Sequence, residues 1–591
     1  MDAPALLRQL FGFEAFRPGQ AAAVQAALAD RDALIVMPTG SGKSLCYQLP
    51  ALMREDLTLV VSPLVSLMQD QVAALERIAP GRVALVNAQR GPAANAEALR
   101  RARAGELRLL YVAPERFGAP AFAKAIAAAR VGLFVVDEAH CVSQWGHDFR
   151  PDYFTLADAA ARVRARATMA LTATATPQVA DDIVRRLRLR DPVRVTTGFD
   201  RPNLSFAVVP CRGVRDKERR LSAALSAAGA LPAIVYAGTR SASEELAAVL
   251  SRTLGEPALA YHAGMYRDAR AEAQERFMSG QVRVIVATNA FGMGIDKADV
   301  RTVCHASVPG SLEAYYQEAG RAGRDGLPAR CLLFAEQRDK GLHVFFIQQA
   351  KVGFEDLQRV GEKLNWAGAD GGYDVPLSEL VARRGGEDSV RAVIGHLSRA
   401  GVLAPSPAPP DRAAGRITGG FDRRTAGIAL GSVREAEQVR WAQYRAIWQY
   451  VEAGRCRREA LLAHFGDRVR AAAQVPCCDV CAPETAPAEP GPLAAARAGG
   501  PALDPALAGD LDQAILGVVV SATPPIGRTR AVEILRGGRS KVVKQNAYDG
   551  LAGYGAFAHL RSEEVLGRVD ELLEAGRLRS TGGRFPKLRA A

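Results

Sequence analysis

Two short stretches carry the densest chemistry. In "IVMPTGSGKSLCYQLP" an apolar run leads through Pro38–Ser44 into a helix-compatible segment. Gly40 and Gly42 let the backbone N–H groups of this loop, Ser41 among them, come close to a phosphate. Lys43 can reach the β and γ phosphates, and Ser44 can ligate Mg2+ at a helix N-terminus. A strict phosphate loop has Gly where Met37 stands, so the match is imperfect. In "GLFVVDEAH" a second apolar run ends in Asp137 and Glu138. Beside a phosphate loop, the first carboxylate holds the Mg2+ shell and the second orients and deprotonates an attacking water. Each stretch alone has a plainer reading, a Gly/Ser turn or a surface acidic pair. Together they point to nucleoside triphosphate hydrolysis.

Three further groups stand out. "YYQEAGRAGRDG" (315–326) supplies Gln317, Arg321 and Arg324. The two arginines are three apart, so a helix would put both on one face, suited to phosphate charge in a transition state or, if isolated, to solvent. Directly after the acidic pair come Trp145, His147, Phe149, Arg150 and Tyr153. Of nine cysteines, four lie within Cys456–Cys481. Cys456, Cys477, Cys478 and Cys481 could close a tetrahedral thiolate site with no open position, hence structural zinc. In a reducing compartment such a cluster reads as metal before disulfide.

These groups need several domains to position them, because single cores stop growing near ~250–300 residues and the chain has 591. The hydrophobic fraction of 48% is enough for packed cores. Lys and Arg number 76 against 63 Asp and Glu, giving +13, which mildly favours a polyanionic partner. No apolar stretch approaches the ~20 residues of a membrane span, and "MDAPALLRQL" does not read as a signal peptide. A cytoplasmic protein is expected.

Up to about residue 340, "ALIVMP", "LTLVVSP", "LRLLYVAP", "GLFVVDE", "ATMALTAT", "AIVYAGT" and "VRVIVATN" alternate with helical patterns. This is the signature of α/β parallel sheets, and two sets fit the length, breaking near 196–204. Helical periodicity follows, as at Val390, Val393, Ile394 and Leu397. An Ala/Pro/Gly-rich flexible linker is expected over 483–509, and a last compact module over 510–591.

The ordered stretches "FGFEAFRPGQ", "MPTGSGKS", "VVSPLVSLMQDQV", "DEAH", "LTATAT", "FDRPNL", "IVYAGTR", "YHAGM", "ATNAFGMGIDKADVR" and "YYQEAGRAGRDG" closely resemble those of RecQ-type DNA helicases of superfamily 2. The departure at Met37 is that family's own variant. The resemblance implies two tandem RecA-like lobes, 1–198 and 199–342, with ATP in the cleft between them. It implies ATP-dependent 3′–5′ movement on single-stranded DNA, with duplex or branched DNA as substrate and a nucleoid-associated place of work. Among protein partners, a single-stranded DNA-binding protein is the candidate. Phe13, Arg17 and Gln20 match positions that hold adenine, with a core aromatic as the plainer reading of Phe13. The aromatic loop after "DEAH" resembles one that couples hydrolysis to DNA, with Trp145, Phe149 and Arg150 as coupling residues and His140 as the bridge. In the plainer reading, Phe149 and Tyr153 pack a lobe surface.

The cysteines match a helical zinc module over 436–482. The sequence 531–588 resembles a winged helix, with Val565, Val569, Leu572 and Leu573 on one helical face and "GRLRSTGGRFPKL" as its wing. Arg528, Arg530, Arg536, Arg539, Lys541 and Lys544 form a basic run suited to duplex phosphates. The extra helical domain that many relatives carry after the wing is not expected here. The connecting region is placed at 343–435, and its stretch 350–435 is longer than the family's usual link between motor and zinc module. Within it, 375–407 reads as helix, Gly-Gly turn, helix and short strand, and 415–424 as strands around a Gly-Gly turn. This suggests a second winged-helix-like insertion or, nearly as well, a helical spacer. A DNA-stimulated ATPase that remodels or anneals strands is the alternative function. An RNA helicase and a non-catalytic DNA binder fit the motifs less well.

Overall fold

The computed structural model describes residues 2–590 except 64, 88–89, 144–152, 154, 293–296, 368–370, 382–385, 407, 409–410, 468–472, 488–504, 539–540, 561 and 582–585. It divides into two compact units, residues 1–491 and 492–591.

Short β-rich runs form two parallel sheets in the first unit. One contains β1 (Ala33–Val36), β2 (Leu57–Val61), β3 (Val83–Val86), β4 (Leu109–Val112), β5 (Val131–Val136), β6 (Ala167–Thr172) and β7 (Val193–Thr196), in the order β3-β4-β2-β5-β6-β1-β7. The other contains β8 (Leu204–Cys211), β9 (Ala233–Tyr236), β10 (Ala258–Tyr261), β11 (Val284–Ala287), β12 (Thr302–His305) and β13 (Ala329–Glu336), in the order β10-β11-β9-β12-β13-β8. Strands such as β2 and β5 are buried along their whole length. Sheets covered by helices on both faces demand such unbroken apolar runs. All seven runs picked out in the sequence are strands. Most of the six others carry polar or charged residues, as in "TVCH" and "VRVT", which breaks the apolar signal, whereas β3, "VALV", is wholly apolar and too short to stand out. The first sheet ends at Thr196 and the second begins at Leu204, so residues 197–203 are the connection between lobes.

From the second lobe the chain runs through helix Gln337–Gln349 into a small module. Helix Phe354–Ala367, β14 (Gly372–Pro376), helices Leu377–Leu380 and Glu387–Arg399, β15 (Leu403–Ser406) and β16 (Arg412–Ile417) follow one another. The strands form an antiparallel sheet ordered β14-β16-β15, the connectivity of a winged helix. Leu377, Leu380, Val390, Val393, Ile394 and Leu397 share its core. The strands expected around Gly419–Gly420 are not there. β16 ends at Ile417, and a 30-residue helix, Arg423–Glu452, starts just past the glycines. Asp422 directs this outcome, because its side chain accepts hydrogen bonds from the Arg424 and Thr425 N–H groups and caps the helix. The hairpin is instead β15–β16.

The expected linker also differs. Pro483–Thr485 forms a 3-10 turn, and Ala486 packs on the second lobe's core. At its far end, helix Pro505–Ser521 starts before residue 510 because Leu507, Leu511 and Ile515 already repeat at helical spacing. In the second unit this helix packs with Arg528–Leu535 and Ser562–Glu574, and β17 (Leu578–Ser580) pairs antiparallel with β18 (Leu588–Ala590). Val565, Val569 and Leu572 are buried there and Leu573 partly so. No helix among the described residues is long and apolar enough to cross a membrane.

Leu397 is fully buried in the inserted module. Leu397→Ala should destabilise it by about 2–5 kcal/mol through lost burial and a residual cavity. Urea unfolding followed by tryptophan fluorescence and limited proteolysis measures this, and an unchanged profile would mean that the module is not packed this way.

Candidate nucleotide site and metal centre

The phosphate loop follows β1 and opens into helix Leu45–Met53. Gly40 and Gly42 have φ of 83° and 80°, in the left-handed region. A Cβ on Gly42 would also come within 2.6 Å of Gln20 Nε2. Gln20 is nearly fully buried, and its Nε2 donates to the Ser41 and Gly42 carbonyls at 3.1 Å each. Arg17 donates to the Gly40 carbonyl at 2.7 Å. These two side chains therefore shape the loop directly. Phe13 is 51% exposed, so it is not a core aromatic. Met37 is buried in the lobe core, and its carbonyl accepts from Lys43 Nζ at 3.0 Å, with the Pro38 carbonyl at 3.3 Å. The lysine thus rests folded over its own loop. Burial lowers its pKa, and Glu138 and Asp137 oppose that shift.

Asp137 and Glu138 leave the end of β5. The Asp137 N–H donates to the Val61 carbonyl on neighbouring β2 at 2.9 Å, fixing where the carboxylate emerges. Burial, followed by repulsion from Glu138, pushes the Asp137 carboxyl up to about 7, while Lys43 pulls the other way. Such a group favours a cation beside it. Glu138 has φ of 48°, a strained conformation for a non-glycine residue that is characteristic of functional sites. His140 is fully buried. Its Nδ1 lies 3.0 Å from Thr172 Oγ1 and 3.3 Å from Glu138 Oε2, linking the acidic pair to the end of β6, where the "LTATAT" stretch begins. Trp145, Phe149 and Arg150 lie outside the described residues. Tyr153 is fully buried, and its hydroxyl donates to the Asp137 carbonyl at 3.1 Å.

The arginines correct one expectation. Helix Leu312–Ala319 stops before them, so Arg321 and Arg324 lie in a turn and do not share a helical face. Arg321 is 4% exposed and bears on Tyr236 within the second lobe. Arg324 instead reaches the first lobe: a Cβ on Gly40 would sit 3.5 Å from its Cγ, and it lies within electrostatic reach of Lys43. Gln317, on the helix, is half-buried. The interlobe connection holds this turn. Arg201 donates to the carbonyls of Gly320, Ala322 and Gly323, and Asn203 to those of Gly323 and Leu327, at 2.8–3.2 Å. These positioning residues were missed from sequence because "FDRPNL" names no chemistry by itself.

The four cysteines meet at the end of the long helix. Their sulfurs all lie within 4.8 Å of one another, and Cys456, Cys477 and Cys478 are buried. A tetrahedral site with Zn–S of about 2.3 Å needs only a small contraction of that set. The Arg457 N–H points at Cys478 Sγ at 3.4 Å. Burial opposes ionisation of Cys478, but N–H groups of Arg457, Cys481 and Val480 outweigh it and hold the thiol below its ordinary value. The cysteine loop also joins β8: the Phe206 N–H donates to the Cys477 carbonyl, and the Asp479 N–H to the Phe206 carbonyl. Helix Arg457–His464 then wedges between the lobes. Leu461 belongs to the second lobe's core, Leu462 and Phe465 to the first's.

Four family models match in chain order: DEAD/DEAH box helicase over 17–183, helicase conserved C-terminal domain over 216–326, RecQ zinc-binding over 423–482, and RQC domain over 510–591. Among curated relatives, "ATP-dependent DNA helicase RecQ" of Bacillus subtilis is 43% identical over 59% of this chain and 58% of that protein. The Pasteurella multocida protein of the same name is 42% identical over 60% and 57%. "Probable ATP-dependent DNA helicase RecS" of Bacillus subtilis is 38% identical over 60% of this chain and 71% of its own length. The chain belongs to the RecQ family. It spans a little over half the length of the first two relatives.

Within this RecQ-family chain, the cysteine cluster is its zinc-binding site. The matched zinc module starts at Arg423, directly after the inserted winged-helix-like module. Structural zinc contributes folding free energy directly. Cys478→Ser should therefore lose the metal and release helix Arg457–His464. Metal analysis should fall from one zinc per chain to well below that, and the interlobe connection should become sensitive to protease. Full zinc occupancy in the variant would remove Cys478 from the site.

Proposed function

We propose that this protein is an ATP-dependent 3′–5′ DNA helicase. It moves along single-stranded DNA and opens duplex or branched DNA in recombination, repair and replication, working in the cytoplasm at the nucleoid. The observation that carries this reading is Arg324, a second-lobe residue, lying against the phosphate loop of the first lobe beside Lys43. Hydrolysis then depends on how the lobes meet, which a motor requires. The names of the curated relatives support the same reading.

ATP enters the cleft with its base on the exposed Phe13, while Arg17 and Gln20 tie that pocket to the loop carbonyls. Lys43 exchanges the Met37 and Pro38 carbonyls for the β and γ phosphates. Ser44 and Asp137 would hold Mg2+, which would supply positive charge against the phosphates when bound. Glu138 orients the attacking water and takes its proton. Arg324 stabilises charge on the transferring phosphoryl group, and Gln317 and Arg321 support it from the second lobe. His140 passes the state of Glu138 to Thr172. Trp145, Phe149 and Arg150 contact the bound strand, and Tyr153 anchors the far end of their loop on Asp137. The terminal module, 510–591, binds duplex phosphates, and a single-stranded DNA-binding protein is the candidate partner.

Lys43→Ala and Glu138→Gln should each reduce ATP turnover by about 10²-fold or more, as loss of a transition-state group does. Glu138→Gln should still bind ATP. A coupled ATPase assay with a fluorescent forked duplex tests both turnover and unwinding. Hydrolysis that persists in either variant removes the site assignment. Wild-type hydrolysis without strand separation leaves a DNA-stimulated ATPase.

A further inference from the structure

The backbone at Glu138 sets a requirement on what lies around it. A non-glycine residue with φ of 48° is strained, and it keeps that conformation only where its surroundings over-determine it. Glu138 leads into the 3-10 turn Ala139–Val142, which carries His140 and ends at Ser143. The Cys141 N–H donates to the Glu138 carbonyl at 2.9 Å, and the Ser143 N–H to the His140 carbonyl at 3.0 Å. The placement of Ser143 therefore bears on where the turn delivers the Glu138 and His140 side chains.

Ser143 is fully buried, and its hydroxyl donates to Asp182 Oδ2 at 2.7 Å. Asp182 stands on helix Pro177–Arg186, directly after the "LTATAT" stretch, and is 1% exposed. The contact around it is apolar: Val179 and Ile183 of this helix share a core with Cys141 and Val142 of the turn. A carboxylate at that depth is costly unless it is paired, and for packing alone an apolar side chain would serve as well. Asp182 is paired. Arg186 Nε donates to the same Oδ2 at 2.7 Å, and Arg185 donates to Oδ1. Burial opposes ionisation of Asp182, but the Ser143 hydroxyl and Arg186 outweigh it and hold the carboxyl below its ordinary range.

The helix is itself held in place. Thr176 caps it, its hydroxyl accepting from the Val179 N–H at 3.3 Å. At the same end, a Cβ on Gly466 would come within 2.7 Å of Pro177 Cγ, so the zinc module closes directly on the first residue of the helix. Thr172, which meets His140, and Asp182, which meets Ser143, belong to the same strand–loop–helix segment. One segment thus grips the turn at two points.

We propose that Asp182 is a positioning residue for ATP hydrolysis: through Ser143 it fixes the turn Ala139–Val142 and so holds Glu138 and His140 in the orientation that the attacking water needs. The inference deepens the proposed motor function and rests on the role given there to Glu138. Small displacements of such groups are expensive in rate, because the reacting atoms must meet in a narrow range of geometries.

The test uses the full chain in single turnovers, with protein in excess over radiolabelled ATP and oligothymidylate present at saturation. The rate constant then does not depend on the fraction of protein that is folded. Asp182→Ala and Ser143→Ala should each lower it about tenfold, with the affinity for a fluorescent ATP analogue unchanged. The double variant should be no slower than either single one, because both changes break the same link. Asp182→Asn, which keeps an oxygen towards Ser143, should recover most of the rate. Arg185→Ala removes an exposed partner of the same carboxylate and should hydrolyse at the wild-type rate. A wild-type rate constant in Ser143→Ala overturns the proposal. So do multiplied losses in the double variant, or a loss in Asp182→Asn as large as in Asp182→Ala. If Asp182→Ala does not fold, Ser143→Ala, which removes a single oxygen, decides the matter. A wild type that hydrolyses no ATP, or a Glu138→Gln variant with normal turnover, would instead sink the catalytic reading beneath the inference, a different result from an active site indifferent to Asp182.

Discussion

The arrangement depends on one short segment, residues 197–203, being held from both sides. Arg458 is 2% exposed, and its NH2 group donates to Asp200 Oδ2 at 2.7 Å. Phe465 stacks on Phe199 with ring centres 4.4 Å apart and planes 12° from parallel. Asp467 accepts from the Phe199 N–H, and Tyr316 donates to the Phe199 carbonyl. A buried ion pair of this kind need not add net stability. Removing one partner, however, leaves a desolvated charge at a cost of about 3–5 kcal/mol. Its effect is therefore directional: it allows only a few positions of the connection. Three of these four gripping residues, Arg458, Phe465 and Asp467, come from the zinc module, so the fold around the cysteines bears on how the two nucleotide-site halves face each other.

That constraint explains the arginine turn. Arg201 and Asn203 belong to the same connection and hold residues 320–327 through carbonyls. A change in lobe angle must pass through this turn, and Arg324 sits at its tip against Gly40. On the other side, the ammonium of Lys43, poorly solvated in its pocket, offsets the charge of Asp137 and Glu138. The site is thus a small set of buried charges, each tolerable only because the others are near, and an arriving phosphate redistributes them.

The inserted module has the connectivity of a DNA-reading winged helix but not the surface. Along helix Glu387–Arg399, Val393 to Leu397 are all buried. His396 Nδ1 lies 2.8 Å from Ser432 Oγ, and Arg399 pairs with Glu435 at 2.8 Å, both on the long helix. Asp and Glu number ten and Lys and Arg eight over residues 353–422. A face already packed on protein, in an acidic module, is poorly suited to a phosphate-lined groove. β15 instead lies against Pro114–Gly118 of the first lobe. The module braces the long helix.

The sequence by itself determined the local chemistry. A phosphate loop needs Gly40, Gly42, Lys43 and Ser44 as neighbours, the acidic pair needs a strand end, and the cysteine spacing is short enough to close on one ion. Most of the apolar strands were also legible, because burial on both faces leaves an unbroken signal, although the four-residue β3 was too short to stand out. Only the tertiary structure decided which distant groups meet. Arg458 on Asp200, Arg324 on Gly40 and Arg440 beside the ends of β9 and β12 join residues about 130 to 280 positions apart, and nothing in local propensity encodes such pairings. The Gly419–Gly420 stretch shows the limit most clearly. Two glycines suit a hairpin turn, yet the cap supplied by Asp422 and the burial available to Ala426, Ala429 and Val433 favour the start of a helix. The deciding term was the apolar surface waiting on a module that the local sequence does not describe.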